Sequence, residues 1–293
     1  MLRSANYQVT VADSFTGQPI DVLIALHARR SAASVLRWSV ERPGCAQALV
    51  LTGTDLYGDI HTDPAAQRSL TLAQRLVVLH QRAVADLPAE HRHKALVCLQ
   101  STPARATLIK TTQSLRALMV GHLRDEKQPQ TFFAAARLLA DQHDICLDHI
   151  GAALDPALRA QALATQAACP HYRWLGAQPH AATRARIQRA HLLVHPSRVE
   201  GGAHVVIEAI RSGTPVIASR IAGNVGLLGD AYTGYFEPGD AAGLAALLTQ
   251  CRDDPSILAS LRAQCAARAP LFAPEHERAT LITLLHTLLE TSP

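Results

Sequence analysis

The sequence predicts an α/β protein of two domains, each a parallel sheet with helical crossovers. Three observations carry this reading. Short apolar runs recur along the chain, helix-like Ala/Leu/Arg segments separate them, and the alternation pauses once and then restarts. The first series of expected strands is Gln8 to Ala12, Val22 to Leu26, Ala48 to Leu51, Arg75 to Leu79 and Ala95 to Leu99. A polar connection from Ser101 to Ser114 follows. The second series is Ala117 to Val120, Ile145 to Ile150, Tyr172 to Leu175, Leu192 to His195 and Val216 to Ala218. A chain of 293 residues is long for one core and fits two domains. They are assigned to residues 1–113 and 114–267, with 268–293 as a C-terminal helix. Its periodicity from Pro274 to Leu289 suits a return to the first domain.

Composition narrows the partners. With 48% apolar and 18% charged residues the chain is a well-buried globular protein. Aromatics at 4% argue against stacking on nucleic-acid bases, so no nucleic-acid partner is expected. A formal charge of +4 suits an anionic small substrate or an acidic surface and does not choose between them. No run reaches the ~18 apolar residues of a membrane span, and no basic-apolar leader precedes Tyr7. The six cysteines contain no Cys-x-x-Cys pair, and several sit in apolar or Ala-rich runs, as buried thiols of a reduced cytoplasmic protein do. The fifteen histidines show no His-Glu-x-x-His or comparable spacing, so no metal site is expected.

The stretch from Ser197 to Ser219 is the best guide to function. It reads as strand end, loop, helix and strand: Pro196 ends an apolar run, Gly201 and Gly202 open a helix, Gly213 closes it, and Val216 starts the next strand. Such a unit places its loop at a sheet's carboxyl edge, where ligands bind. Glycines beside a helix N-terminus leave backbone N–H groups open to a phosphate. Glu200 and Glu208, eight residues apart, are acceptor-only groups, and a sugar's vicinal diol offers the matching donors. An ordinary αβ unit with one capping and one solvated Glu is the plain alternative. The diglycine, the Gly213-Thr-Pro turn and the flanking strands favour a ligand site.

Other candidates fall at expected strand ends, around a cleft between the domains. His27, Arg29 and Arg30 follow one strand, Gly53, Thr54 and Asp55 the next, and Gly121, Arg124 and Lys127 the first strand of the second domain. Arg124 and Lys127 would face a diphosphate, or stand in a solvated charged turn. Asp55 also suits a turn or N-cap, and His27 a satisfied core position.

In this order the segments resemble the retaining glycosyltransferases of family 4, with two Rossmann-like domains facing a cleft (the GT-B fold). Glu200-Gly-Gly-Ala-His-Val-Val-Ile-Glu208 is similar to that family's Glu-x7-Glu motif, and Val120-Gly-His-Leu-Arg-Asp-Glu-Lys127 to its diphosphate loop. The resemblance implies that Glu208 binds the donor ribose and Glu200 the donor sugar. Gly201, Gly202, Ala203 and His204 would supply donors near sugar and diphosphate, and Lys127, with Arg124, would neutralise the leaving phosphate. The family commonly has Arg directly after the loop glycine, where this chain has His122. It also begins with a strand and Gly-rich loop, whereas Met1 to Asn6 is similar to the end of the helix that follows them. The resemblance therefore implies a first domain lacking about thirty residues, the size of one βα unit.

A narrower resemblance rests on Leu26-His-Ala-Arg-Arg-Ser-Ala-Ala-Ser34, Leu51-Thr-Gly-Thr-Asp-Leu-Tyr57, Arg220-Ile-Ala-Gly-Asn-Val-Gly-Leu-Leu-Gly229, Gly234-Tyr-Phe-Glu-Pro-Gly-Asp240 and Ala269-Pro-Leu-Phe-Ala-Pro274. These segments are similar to the selenosugar synthases of selenoneine biosynthesis. That family implies transfer of a sugar from a UDP-sugar, UDP-N-acetylglucosamine being the expected donor, to selenophosphate. The donor set then includes Asn224; the acceptor set is His27, Arg29, Arg30, Gly53, Thr54 and Asp55. Glu200, Lys127 and Asp55 are the expected catalytic residues, without metal or cofactor, since no Asp-x-Asp pair is present. The family has Asn where this chain has His204. Two other readings remain open: transfer to a glycan or lipid acceptor, and noncatalytic binding of a nucleotide sugar.

Overall fold

The computed structural model describes residues 1–290. The chain forms two compact units. The first comprises Met1–Ser101, Glu200–Gly202 and the residues from Leu271 on. Its sheet is parallel, in the order β1 (Leu23–Leu26), β2 (Gln47–Val50), β3 (Arg75–Val78) and β4 (Ala95–Val97). Alternation along the strands divides the core between two faces. Leu49, Leu51, Leu76 and Val78 pack with Val35, Leu56, Ile60 and Leu70 from the connecting segments. Ala48, Val77 and Cys98 pack instead with Leu284 and Leu288 of the helix Pro274–Glu290. That helix is tied down where Glu277 accepts hydrogen bonds from Ser101 N at 2.7 Å and Ser101 Oγ at 2.6 Å. Residues 291–293, the end of the expected C-terminal helix, lie outside the described residues.

The second unit comprises Thr102–Val199 and Ala203–Pro270. It holds β5 (Leu115–Val120), β6 (Ile145–Ile150), β7 (Tyr172–Trp174), β8 (Leu192–His195), β9 (Val216–Ser219) and β10 (Tyr235–Phe236). All are parallel, in the order β10-β9-β8-β5-β6-β7. This is the doubly wound Rossmann order, with its switch point between β5 and β8. Several helices begin on the same local device, an Asp N-cap followed by Pro at the first helical position. Asp155 accepts from Ala157 N and Leu158 N ahead of the helix Pro156–Ala168, and Asp254 accepts from Ser256 N ahead of Pro255–Arg268.

The α/β class with parallel sheets is as the sequence predicts; three details differ. Gln8 to Ala12 forms no strand, and Val11 is 84% exposed: alternation alone does not make a strand where no sheet edge receives it. β10 has no counterpart among the expected strands, because two residues are too few to show a period. Residues 102–113, expected to close the first domain, pair with the second unit. Arg105 N donates to Arg211 O at 2.8 Å, Gln188 Nε2 to Ala106 O at 2.7 Å, and His191 Nε2 lies 2.8 Å from Thr111 O.

Two histidines make the fold acid-sensitive. His80 and His149 are fully buried, and burial pushes each down to about 4. Both therefore fold neutral and protonate more readily when unfolded. Their stabilisation is complete above the unfolded value of about 6.5 and is lost as pH falls from there through 4, about 3 kcal/mol for each. In His80, Nδ1 accepts from Ala83 N at 3.1 Å and Nε2 lies 3.1 Å from Tyr57 Oη. His80→Asn keeps an acceptor and cannot ionise. Its melting temperature is expected to fall less steeply between pH 6.5 and 4.5 than that of the wild type, as thermal melts across that range would show.

Candidate functional site

In the second unit the loop after β5 is built as a tight, charged turn. Its entry is held by His149, whose Nε2 donates to Gly121 O at 3.0 Å while Nδ1 accepts from Tyr172 Oη at 3.1 Å. A Cβ on Gly151 would stand 1.9 Å from Gly121 O, so the neighbouring strand end must be glycine for the two loops to nest. Leu123 N donates to Ala152 O, and His122 Nδ1 accepts from Ala152 N at 3.0 Å. Asp125–Lys127 closes the loop as a 3₁₀ turn, with the Lys127 stem lying over Gly121. His122 is held below the usual histidine range by burial first, and then by the charges of Arg124 and Lys127. The loop's two cations, Arg124 and Lys127, stand beside two carboxylates: Arg124 Nε lies 3.8 Å from Glu126, while Asp125 is paired with Arg198 from the loop after β8.

On the neighbouring strand, the helix His204–Ile210 follows β8 and carries Glu208, only 4% exposed. Its Oε1 receives His180 Nε2 at 2.6 Å and lies 3.5 Å from His204 Nδ1 and 3.8 Å from Arg184 Nη1. Burial alone would raise this carboxyl group. Hydrogen bonds from His204 and His180 and the Arg184 charge outweigh it and hold the group below the usual carboxylate range. Glu208 is thus a buried, ionised acceptor. Arg184, 6% exposed, is anchored by donating to Thr102 Oγ1 and to Pro103 O.

In the first unit three loops meet at the sheet's carboxyl edge. Asp55 is fully buried; its Oδ2 accepts from Ala28 N and its Oδ1 from Thr52 N and Thr52 Oγ1, each at 2.7 Å. It therefore ties the end of β1 to the end of β2. His27 is buried with φ of +73°, a strained conformation for a residue with a side chain. Its Nδ1 accepts from Arg30 N at 3.4 Å, which leaves Nε2–H to donate to Thr54 Oγ1 at 3.1 Å, with Asp59 Oδ2 at 3.7 Å. Arg29 is paired with Asp59 at 3.0 Å, and Arg30 is exposed.

Glu200–Gly202 belongs to this first unit. A Cβ on Gly201 would lie 2.4 Å from Gly53 N and 2.6 Å from Thr52 C, and one on Gly53 would lie 2.6 Å from Gly201 N. The two backbones touch directly. Gly202 faces Leu79 and the Gln100 side chain, whose buried Oε1 has no hydrogen-bond partner. The helix begins at His204 with Ala203 as N-cap, so the diglycine serves close packing instead of forming the helix's first turn.

A family model for glycosyl transferases group 1 matches residues 100–271, more than half of the chain. The chain belongs to the glycosyl transferases group 1 family. Among curated relatives, this family member is 37% identical over 95 residues to a glycogen synthase of Mycobacterium tuberculosis; the match covers 32% of this chain and 23% of that one. The chain thus spans less than a quarter of that relative's length. Solved structures similar to it include Anabaena HepE in complex with UDP and glucose, with TM-score 0.74 and 16% identity, covering 92% of this chain and 78% of that one. A sucrose-phosphate synthase from Thermosynechococcus elongatus gives TM-score 0.75 and 19% identity, covering 93% and 74%. S. aureus TarM, in complex with UDP among other ligands, gives TM-score 0.72 and 14% identity, covering 89% and 55%. At these identities the structural likeness bears on the fold, which is that of the GT-B transferases.

Two of the expected roles do not suit the places these side chains occupy. Asn224, expected at the donor, is fully buried and spent on the strand ends: its Oδ1 lies 3.0 Å from His195 Nδ1, and its Nδ2 donates to Ser219 O at 2.9 Å. Asp55, expected as a catalytic residue, is fully buried and holds three donors of the surrounding loops, which makes it a support of the corner. His180 and Arg184 are functional candidates that the sequence motifs do not include. Their spacing of four on one helix is a visible signal, since such residues share a face.

Proposed function

We propose that this family member transfers a sugar from a nucleotide sugar, and that the donor is bound at the carboxyl edge of the second sheet. One observation carries this: the loop Gly121–Lys127, which bears Arg124 and Lys127, and the ionised Glu208 follow β5 and β8, the neighbouring strands at the switch point. Lys127 and Arg124 offer cations to a diphosphate, and Glu208 offers an ionised acceptor to a ribose diol. The UDP complexes of two structural neighbours support a uridine nucleotide. In the reaction, the bond from the sugar's anomeric carbon to the diphosphate breaks and its electron pair leaves on UDP. Lys127 would stabilise that growing charge, with Glu200 beside the donor sugar.

The acceptor reading is selenophosphate, and UDP-N-acetylglucosamine is the donor that goes with it. It is supported by the segments similar to the selenosugar synthases and by the basic His27–Arg30 corner at the end of β1. Selenium is already anionic and polarisable there, so attack needs little base assistance. Asp55 then organises the corner by accepting from Ala28 N, Thr52 N and Thr52 Oγ1. The test is mass spectrometry of products from UDP-N-acetylglucosamine with selenophosphate. A selenium-bearing sugar in step with UDP is expected. UDP release only with a glycan or lipid acceptor would replace selenophosphate, and donor binding without UDP release from any acceptor would make the protein a noncatalytic binder.

A further inference from the structure

The second unit carries a groove of about 910 Å³ on a face of its sheet, lined by residues of β5, β6 and β7 and of the helix His180–Arg189. A buried parallel strand is usually apolar on both faces. β6 and β7 are not: Cys146 and Asp148 on β6 and Arg173 on β7 line the groove, while Leu147 and Tyr172, which point the other way, are fully buried. The polar face is therefore built into the strands.

Four arginines, Arg116, Arg173, Arg186 and Arg189, line this groove against one carboxylate, Asp148. Asp148 lies 2.8 Å from Arg173 Nη2 and 3.8 Å from Arg186 Nη1, so it draws two guanidinium groups together over an apolar floor that includes Leu118 and Pro170. His171 also lines the groove. It is 9% exposed, its Nε2 donates to Ala136 O at 3.0 Å, and burial lowers its basicity, so Nδ1 keeps a lone pair. That Nδ1 is buried and has no partner.

We propose that this groove binds a small phosphate-bearing polyhydroxy molecule, separately from the donor loop Gly121–Lys127. The volume falls within the range of small-ligand pockets, roughly 300–1,000 Å³, and is too confined for a folded partner. Guanidinium forks match phosphate oxygens two at a time, and the partly exposed Asp148 carboxylate is an acceptor for a hydroxyl.

Calorimetry with ribose 5-phosphate tests this on the wild type, on Arg116→Glu/Arg189→Glu and on Lys127→Ala. Arg116 and Arg189 are exposed, so their reversal leaves the core intact, and an unchanged melting temperature would verify that. Binding is expected in the wild type and in Lys127→Ala, and to weaken by about tenfold or more in the double reversal, since charge-assisted contacts become repulsive. Cys146 gives a local readout, because it lines the groove and is only partly buried. Its alkylation, followed by peptide mass spectrometry, is expected to slow when ribose 5-phosphate is present, in the wild type and not in the reversal. No binding by the wild type, equal binding by the reversal, or loss in Lys127→Ala alone would each overturn the proposal.

Discussion

Gly201→Ala is expected to lower turnover by about a hundredfold and to destabilise the first unit by about 1–3 kcal/mol, the range of forced overpacking. The new Cβ would stand 2.4 Å from Gly53 N and 2.9 Å from Gly53 Cα, and neither is the flexible tip of a side chain that can step aside. Backbone must move, and the segment that moves carries Glu200. Gly53→Ala presses on the same contact from the other side, within 2.6 Å of Gly201 N. Once one alanine has pushed the segments apart, the second has less to displace. The double variant should therefore lose less than the sum of the singles, a non-additivity expected of residues in contact. Gly58 is the control: a Cβ there would meet nothing within 4 Å, so Gly58→Ala should leave both melting temperature and turnover near wild type. Additive losses, or a Gly201→Ala enzyme with normal turnover, would mean the contact is dispensable.

This contact shows what a sequence does and does not hold. The diglycine is visible there, and its chemistry, backbone approach without a Cβ, is the right property. Its partner is not visible: Gly53 lies far away in the chain, and no local pattern records which backbone another backbone will touch. The same limit explains Asn224 and Asp55. Each stands in the first turn of a helical segment that follows a strand, where ligand-binding residues gather, and only the tertiary hydrogen bonds reveal that both side chains are spent on the neighbouring strand ends. The strands of both sheets apart from β10 are legible because parallel strands are short apolar runs between helical segments. Gln8 to Ala12 has the same local pattern and lacks a sheet edge, which is again a long-range property. His180 and Arg184 are legible in spacing alone. Their role becomes clear only with Glu208 across from them, its Oε1 2.6 Å from His180 Nε2.

Lys127→Ala is expected to reduce kcat by about 100- to 1,000-fold with KM changed only a few-fold, the pattern of a cation that acts where charge develops. The ground-state donor already carries its diphosphate charge, and the proposal has Arg124 in the same loop meet part of it. What grows during bond cleavage is the charge on the departing oxygen, and the proposal gives that to Lys127. The variant is structurally mild, because Lys127 is partly exposed and the loop is held from elsewhere, by His149 on Gly121 O and by Leu123 N on Ala152 O. Lys127→Arg separates charge from shape: it restores the cation but not the compact ammonium, so partial recovery is expected. Arg124→Ala supplies the contrast. A cation that serves mainly to bind the donor would raise KM and leave kcat nearly intact. If Lys127→Ala instead raises KM alone, Lys127 binds the ground-state diphosphate and the leaving charge is met by the loop's amides. Unchanged kinetics would remove it from the site.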